Sequence, residues 1–317
     1  EVLLEPSFPE EEVAKKKNET LAALQAERDD PSEVAQRAFL EALFRGSPYG
    51  TPPMGKDSSI PTILREDVAR QHQALYRPNN AILVAVGDFD PQEIEALVKT
   101  SLQQWQSAPL PEENYTAEFP RSRAVLLLDM PITQATILMG MPGVARSNSD
   151  YYPLSVMNYI LGGGGFSSRL MEEIRTKRGL AYSVYSALDA RRHPGSFQVG
   201  LQTKNESAGK AIDLVFHEVR KIRREPVSMK ELEAAQQYLI GSYPMRLDTN
   251  VKLARLLGLV EYYGLGMDYI HQYSFIISQV TPEEILRVAG RYLDEENYVL
   301  VVVADQKKAG LEKLKER

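Results

Sequence analysis

Ala74-Leu75-Tyr76-Arg77-Pro78-Asn79-Asn80-Ala81-Ile82-Leu83-Val84-Ala85-Val86-Gly87-Asp88 reads as a helix end, a turn built on asparagine, an apolar strand and a closing aspartate. The same order returns at Arg291-Tyr292-Leu293-Asp294-Glu295-Glu296-Asn297-Tyr298-Val299-Leu300-Val301-Val302-Val303-Ala304-Asp305, where Asn297 falls on Asn80 at an offset of 217 residues. A second match lies at almost the same spacing. Glu12-Val13 falls on Glu231-Leu232 and Asp29 on Asp248, an offset of 219 or, for Asp29, the same 219. Two matches at nearly one spacing predict a duplicated unit of helices and strands. The plainer alternative is that one helix–turn–strand segment resembles any other. If the second copy starts near Ala124, the front of the first is expected about a hundred residues before Glu1, which is not an initiator methionine. A complete antiparallel sheet within residues 1–110 would contradict that expectation.

Working outward, Ser7-Phe8-Pro9-Glu10 fits a capping box at the head of a long helix, with Val13, Leu21 and Leu24 on one face. Glu11 with Lys15 and Glu12 with Lys16 suit i,i+4 pairing. Asp29-Asp30-Pro31 closes that helix and a second runs from about Ser32 to Phe44. A helix toward Tyr76, a buried strand at Ala81–Gly87 and a helix over Pro91–Gln106 follow. Pro109, Pro111 and Pro120 then mark a linker. Beyond it, strands are expected at Ala124–Asp129, Ala135–Gly140, Tyr182–Leu188, Ser196–Thr203 and Tyr298–Ala304. Helices are expected at Tyr152–Leu161, Ser167–Lys177, Ala208–Arg223, Ser228–Met245 and Asn250–Tyr263, and after Thr281-Pro282, which places proline in a first helical turn.

Composition narrows the function classes. The formal net charge of −6 gives no basic excess with which to hold a phosphate backbone, so no nucleic-acid partner is expected. Zero cysteine excludes thiol nucleophiles, iron–sulfur clusters and sulfur-ligated zinc, and leaves the compartment open between periplasm and cytoplasm. The longest apolar runs, such as Val299–Ala304, fall far short of the ~20 residues a membrane helix needs. The four histidines, His72, His193, His217 and His271, lie far apart, so no zinc-type histidine pair exists.

Two segments carry candidate chemistry. Leu161-Gly162-Gly163-Gly164-Gly165-Phe166-Ser167-Ser168 is a glycine loop feeding a helix, without the Gly-Lys-Ser/Thr of a phosphate loop. It supplies either backbone freedom between packed helices or a loop facing substrate. Arg175 ends a helix and Tyr182 opens the next strand seven residues later. Together they suit hydrogen bonding to a peptide carbonyl or a developing oxyanion. The ordinary alternative is a basic helix end with a glycine cap at Gly179 and a half-buried tyrosine.

Leu161–Leu170, Glu173-Ile174-Arg175 and Lys177–Val184 together resemble the pitrilysin/insulinase family of zinc metallopeptidases, nearest the bacterial relatives of mitochondrial processing peptidase. Tyr76-Arg77-Pro78-Asn79-Asn80, Val86-Gly87-Asp88 and Phe8-Pro9-Glu10-Glu11-Glu12 are also similar to it. The resemblance spans essentially the whole chain. It implies an α+β fold of two homologous domains, each an antiparallel sheet with packed helices, the first incomplete here. Residues 1–110 would then be the C-terminal part of the first domain, 111–120 a linker and 121–317 the complete second domain. Zinc in the family is bound in the first domain by an inverted H-x-x-E-H and a distal glutamate. The second domain supplies an arginine and a tyrosine, which Arg175 and Tyr182 match in spacing.

Two departures bear on activity. The inverted motif would fall ahead of Glu1. The distal glutamate would fall within Ala22-Ala23-Leu24, so that Ala23 takes the ligand position, and Lys15-Lys16-Lys17 stands nearby. Alanine cannot coordinate zinc and a lysine cluster opposes a dication. A one-turn shift would instead bring Glu19 or Glu27 to the ligand position. The resemblance therefore implies a non-catalytic half that binds no metal itself. It would offer Arg175, Tyr182 and the Gly162, Gly163, Gly164, Gly165 and Phe166 wall to an unfolded peptide, for a zinc-bearing homologous subunit or a second copy. The alternatives are the C-terminal part of an active zinc peptidase and a structural subunit like the core proteins of respiratory complexes.

Overall fold

The computed structural model describes residues 2–112, 115 and 119–315, so the expected linker lies partly outside the described residues. In chain order the helices and strands are α1 (Glu10–Glu27), α2 (Pro31–Leu43), α3 (Arg65–Leu75), α4 (Pro91–Ser101), β1 (Ala124–Asp129), β2 (Gln134–Pro142), α5 (Tyr151–Asn158), β3 (Ala181–Asp189), β4 (Ser196–Lys204), α6 (Ala208–Arg224), α7 (Met229–Gly241), α8 (Asn250–Tyr262), α9 (Tyr269–Ser278), α10 (Pro282–Tyr292), β5 (Val299–Ala304) and α11 (Gln306–Ala309). They divide into two compact units. One comprises Glu1–Ala26, Pro53–Asn114 and Pro244–Met267, the other Glu27–Pro52, Tyr115–Tyr243 and Asp268–Arg317. No described helix is long and apolar enough to cross a membrane.

The larger unit holds a five-stranded sheet in the order β1-β5-β2-β4-β3. Only β1 and β5 run parallel, and the other neighbours are antiparallel. This is the expected α+β class. All five expected strands form, within two residues of their expected ends. Apolar residues line both faces of β5, as a fully covered strand requires. On one face Val299, Val301 and Val303 join Leu138 of β2 against Ala35, Phe39 and Leu43 of α2 and the following Phe44. Ala35, Phe39 and Leu43 recur every fourth residue and so form one stripe of that helix. Asp30 caps α2 by accepting from the Ser32 and Glu33 N–H groups, at 2.7 and 3.4 Å.

α6 and α10 bury stripes of their own, Ile212, Val215, Val219 and Ile222 on the first and Ile285, Val288 and Ala289 on the second. Thr281 caps α10 through the Glu284 N–H, as the sequence suggests. The carboxylate of Asp150 fastens the start of α5 to α10. It accepts from Arg287 at 2.7 Å, Tyr292 at 2.8 Å and Arg291 at 3.3 Å. The Arg287 bond leads in holding this carboxyl below its usual range, against the opposing effect of burial.

In the smaller unit α4 ends at Ser101, short of the expected Gln106, and two further places depart from expectation. α1 opens at Glu10, with the Val13 N–H bonded to the Pro9 carbonyl, so Ser7 does not cap it. The chain turns at Phe8, whose φ of 44° carries Ser7 out of register, and Arg65 ties the turn down through the Ser7 and Phe8 carbonyls. The second departure is Ala81–Gly87, which is not a buried strand. Ile82 and Leu83 are exposed, and no strand is found among the described residues of this unit. A strand needs a neighbour to take its backbone hydrogen bonds, and here none is present.

Phe39 is fully buried. Phe39→Ala is expected to cost about 3–5 kcal/mol, read as a lower urea midpoint with an unchanged slope.

Candidate functional site

The end of α5 continues into a π-helical turn at Tyr159–Gly163, then a short 3-10 turn at Gly165–Ser167 and a second π-helical turn at Met171–Thr176. A helix was expected to Leu161, a glycine loop over Gly162–Gly165 and a helix over Ser167–Lys177, and the wider π turns are what the sequence pattern did not disclose. Gly162 lies directly on β3. A Cβ at that position would stand 2.4 Å from the Ser186 nitrogen, so only glycine permits the approach. Beside it the Ser186 hydroxyl donates to the Asn158 side-chain oxygen at 2.7 Å, fastening α5 to the same strand. Gly165 has φ +57° and reverses the chain toward Phe166. The Ser167 and Ser168 hydroxyls close the turn by donating to the Gly164 and Gly165 carbonyls, at 2.8 and 2.7 Å.

Arg169 then anchors the next segment. Its guanidinium makes a two-pronged bond to Glu231 at the start of α7, at 2.7 and 3.0 Å. Burial pushes the Glu231 carboxyl up, but Arg169 and the Ser228 backbone and hydroxyl outweigh it and hold the pKa at about 2. With Met171 and Ile174 buried, Arg175 is left at the segment's open end. The Gly179 N–H returns to the Arg175 carbonyl at 2.8 Å, and the chain enters β3. There the ladder with β4 is irregular between Ala181 and Val184, which frees Tyr182 from the alternation, and its side chain is 83% exposed.

These elements bring Phe166, Arg175 and Tyr182 together. The Arg175 guanidinium lies 4.7 Å from the Phe166 ring centre and 4.6 Å from that of Tyr182. Glu173, the nearest acid in sequence, is taken by Lys177 and Arg178, whose hydrogen bonds lower its pKa. Among the described residues the Arg175 side chain has no ion pair or hydrogen bond, so its donors are free for a ligand. Gly162 is spent on packing, whereas Gly165 faces open space. A cavity of about 370 Å³ opens beside Tyr182, lined by Gln36 of α2, Thr136 and Leu138 of β2, Tyr185, and Gln202 of β4. The roles of Arg169, Glu231 and Gln202 were not found from sequence. The Ser228-x-x-Glu231 capping signature was the one available signal for any of them.

The described residues do not suit zinc. No three His, Asp or Glu side chains converge among them. Ala23 lies on α1 and Glu19 pairs with Lys16 at 3.3 Å. His72 directs Nε2 to the Leu3 carbonyl at 3.1 Å and stacks on Tyr76.

The family described as peptidase M16 inactive domain matches residues 62–239. A Helicobacter pylori protein named non-peptidase homolog YmxG is 28% identical over 97% of this chain and 71% of its own length. An uncharacterized zinc protease of Mycobacterium leprae is 30% identical over 84% of this chain and 60% of its own. A corresponding protein of Streptomyces coelicolor is 26% identical over 88% and 62%. The chain thus spans 60–71% of the length of these relatives. The crystal structure of a peptidase M16 inactive domain from Pseudomonas fluorescens superposes with a TM-score of 0.90 at 28% identity, covering 96% of this chain and 73% of that one. A chain of complex III2 from Candida albicans shares the fold at a TM-score of 0.77 and 14% identity, covering 93% and 72%.

The Arg169–Glu231 pair carries a pH signature. Folding lowers the Glu231 pKa from 4.5 to about 2, so the pair's stabilisation is complete above pH 4.5 and is lost as pH falls toward 2. Glu231→Gln keeps a hydrogen-bond acceptor but removes the charge. Its stability deficit against the wild type is expected to be widest above pH 4.5 and to narrow on acidification, measured by urea denaturation at each pH.

Proposed function

Because the chain belongs to the peptidase M16 inactive-domain family, we propose that it is a non-catalytic partner that holds unfolded peptide for a zinc-bearing homologous subunit or a second copy of a related chain. The observation that carries this reading is the Arg175 guanidinium, without a hydrogen bond or ion pair among the described residues, beside the exposed Tyr182 phenol. In the proposal, Arg175 donates to the peptide backbone and Tyr182 donates its O–H to the carbonyl oxygen that gains negative charge. A cation with its donors unspent has no internal partners to abandon when a peptide arrives. The open part of the loop, Gly163–Gly165, forms the wall beside them, while Gly162 packs on β3. Any metal chemistry comes from the partner, and no zinc ligand is assigned to this chain. Two homologous domains, residues 1–110 and 121–317 with 111–120 between, remain part of this proposal.

A second reading is favoured by the zinc-protease names of the M. leprae and S. coelicolor relatives. It makes the chain part of a polypeptide that carries its own zinc site. An encoded His-x-x-Glu-His ahead of Glu1, with one zinc per full-length product by elemental analysis, would establish that reading over the first.

For the chain itself, elemental analysis is expected to find no stoichiometric zinc, and incubation with peptide alone no cleavage. A fluorescein-labelled unstructured 20-residue peptide is expected to bind, as read by anisotropy. Arg175→Ala should weaken that binding about tenfold or more and Tyr182→Phe about threefold or more. Unchanged affinity in both variants would overturn the assignment of these residues.

A further inference from the structure

Among the described residues, Arg146, Arg175, Arg191 and Arg291 lie over aromatic rings, and they differ in what their donors do. Arg146 lies 3.8 Å from the Tyr151 ring centre but is buried and donates to the Tyr269 hydroxyl at 2.8 Å. Arg191 lies over Tyr49 and is paired with Asp189 at 2.6 Å. Arg291 stacks on Tyr292 and is paired with Asp150. Arg175 has two aromatic neighbours and, among the described residues, no hydrogen bond or ion pair for its guanidinium. Among the described residues, the two ring contacts are thus what hold its guanidinium. The two rings are themselves largely exposed, Phe166 at 70% and Tyr182 at 83%, so burying apolar area does not account for their positions.

We infer that Phe166 is a positioning residue. It holds the Arg175 guanidinium together with Tyr182, and so aims the in-plane N–H donors at the backbone carbonyls of an extended peptide. This deepens the peptide-holding reading and rests on it. Guanidinium donors all lie in the plane of the group, so a plane fixed by a ring leaves one direction for hydrogen bonding. A free arginine side chain would have to give up rotamer freedom on binding, and one already stacked has less to lose. Phe166 is suited to this task because its backbone is fixed. Gly165 makes the left-handed turn, and the Ser167 and Ser168 hydroxyls pin the turn around it. The inference assigns no chemistry to Phe166, which acts only through Arg175. It also excludes lysine as a substitute at position 175, since an ammonium has no plane to hold.

The test separates stacking from bulk with Phe166→Leu, and restores the ring with Phe166→Trp. The first readout needs no ligand. It is the Arg175 Nε–H resonance of the free chain, assigned by its loss in Arg175→Ala. Ring currents are expected to displace this resonance in the wild type and in Phe166→Trp. In Phe166→Leu it should move toward the position of an unstacked arginine. The second readout is affinity for the fluorescein-labelled unstructured 20-residue peptide. Phe166→Leu should weaken binding about three- to tenfold, Phe166→Trp should restore it, and Arg175→Lys should bind no better than Arg175→Ala. In an Arg175→Ala background, Phe166→Leu should cause no further loss. An equal loss with and without Arg175 would overturn the inference, because Phe166 would then touch the peptide directly. So would a resonance that Phe166→Leu leaves in place. A wild-type chain that binds no peptide would instead overturn the peptide-holding reading, and the resonance would still decide whether Phe166 holds Arg175.

Discussion

Every residue of β5 from Val299 to Ala304 is buried, and a strand so placed must be covered on both faces. One cover is α2, which belongs to the early part of the chain, and its Phe39 and Leu43 fill the space above Val299, Val301 and Val303. With β5 fixed, its antiparallel neighbour β2 is fixed in register, Leu138 against Val301, and β4 follows with Gly200 against Leu138. That leaves β3 at the edge, the one antiparallel strand of this side with an unpaired flank. An edge strand tolerates an irregular ladder that a central one would not, and the irregularity falls where Tyr182 leaves the sheet.

The same strand receives the other half of the candidate site. Gly162 rests on the β3 backbone at Ser186, and the chain runs from there through Phe166 to Arg175 and back into β3. The loop is therefore anchored at both ends to one strand, with the Arg169–Glu231 pair as a third tether to α7. Charge placement follows from these tethers. Glu231 is committed to Arg169, and Glu173 to Lys177 and Arg178, which leaves Arg175, of the cations between Arg169 and Arg178, without an acid among the described residues. A partly solvated arginine loses little by lacking an ion pair. Its two aromatic neighbours hold it without using its N–H donors.

How far the sequence discloses this arrangement depends on how local each feature is. The five strands of the larger unit were legible because β-branched and apolar runs bounded by turn residues reflect their own neighbourhoods. The Thr281 cap and the proximity of Arg175 to Tyr182 were legible for the same reason, since both lie within a few residues of chain. The π-helical turns were not, because Tyr159–Gly163 differs from an ordinary helix only in a hydrogen-bond shift that no residue type demands. The packing of α2 on β5, the Gln202 bond to Thr136 and the Glu231 tether join residues far apart in sequence, and periodicity carries no information about such pairs. Phe166 was legible as part of a glycine loop, but its contact with Arg175 depends on the reversal at Gly165.

Ala81–Gly87 shows the limit of a local pattern most directly. Its alternation of helix end, asparagine turn and apolar run matches that of residues 291–305, yet Tyr298 leads into a buried strand and Ala81 does not. The backbone is extended at Ala81, with φ −131° and ψ 145°, so the segment has the conformation of a strand at its start. What it lacks among the described residues is a neighbour to accept its N–H groups and cover Ile82 and Leu83. Val84 comes near Gly258 of α8, which offers side-chain contact but no ladder. β propensity is a statement about fitting a pleated, half-buried surface, and it has no expression where that surface is absent. The two segments thus differ in surroundings and not in sequence pattern, and it is the surroundings that make one of them a strand.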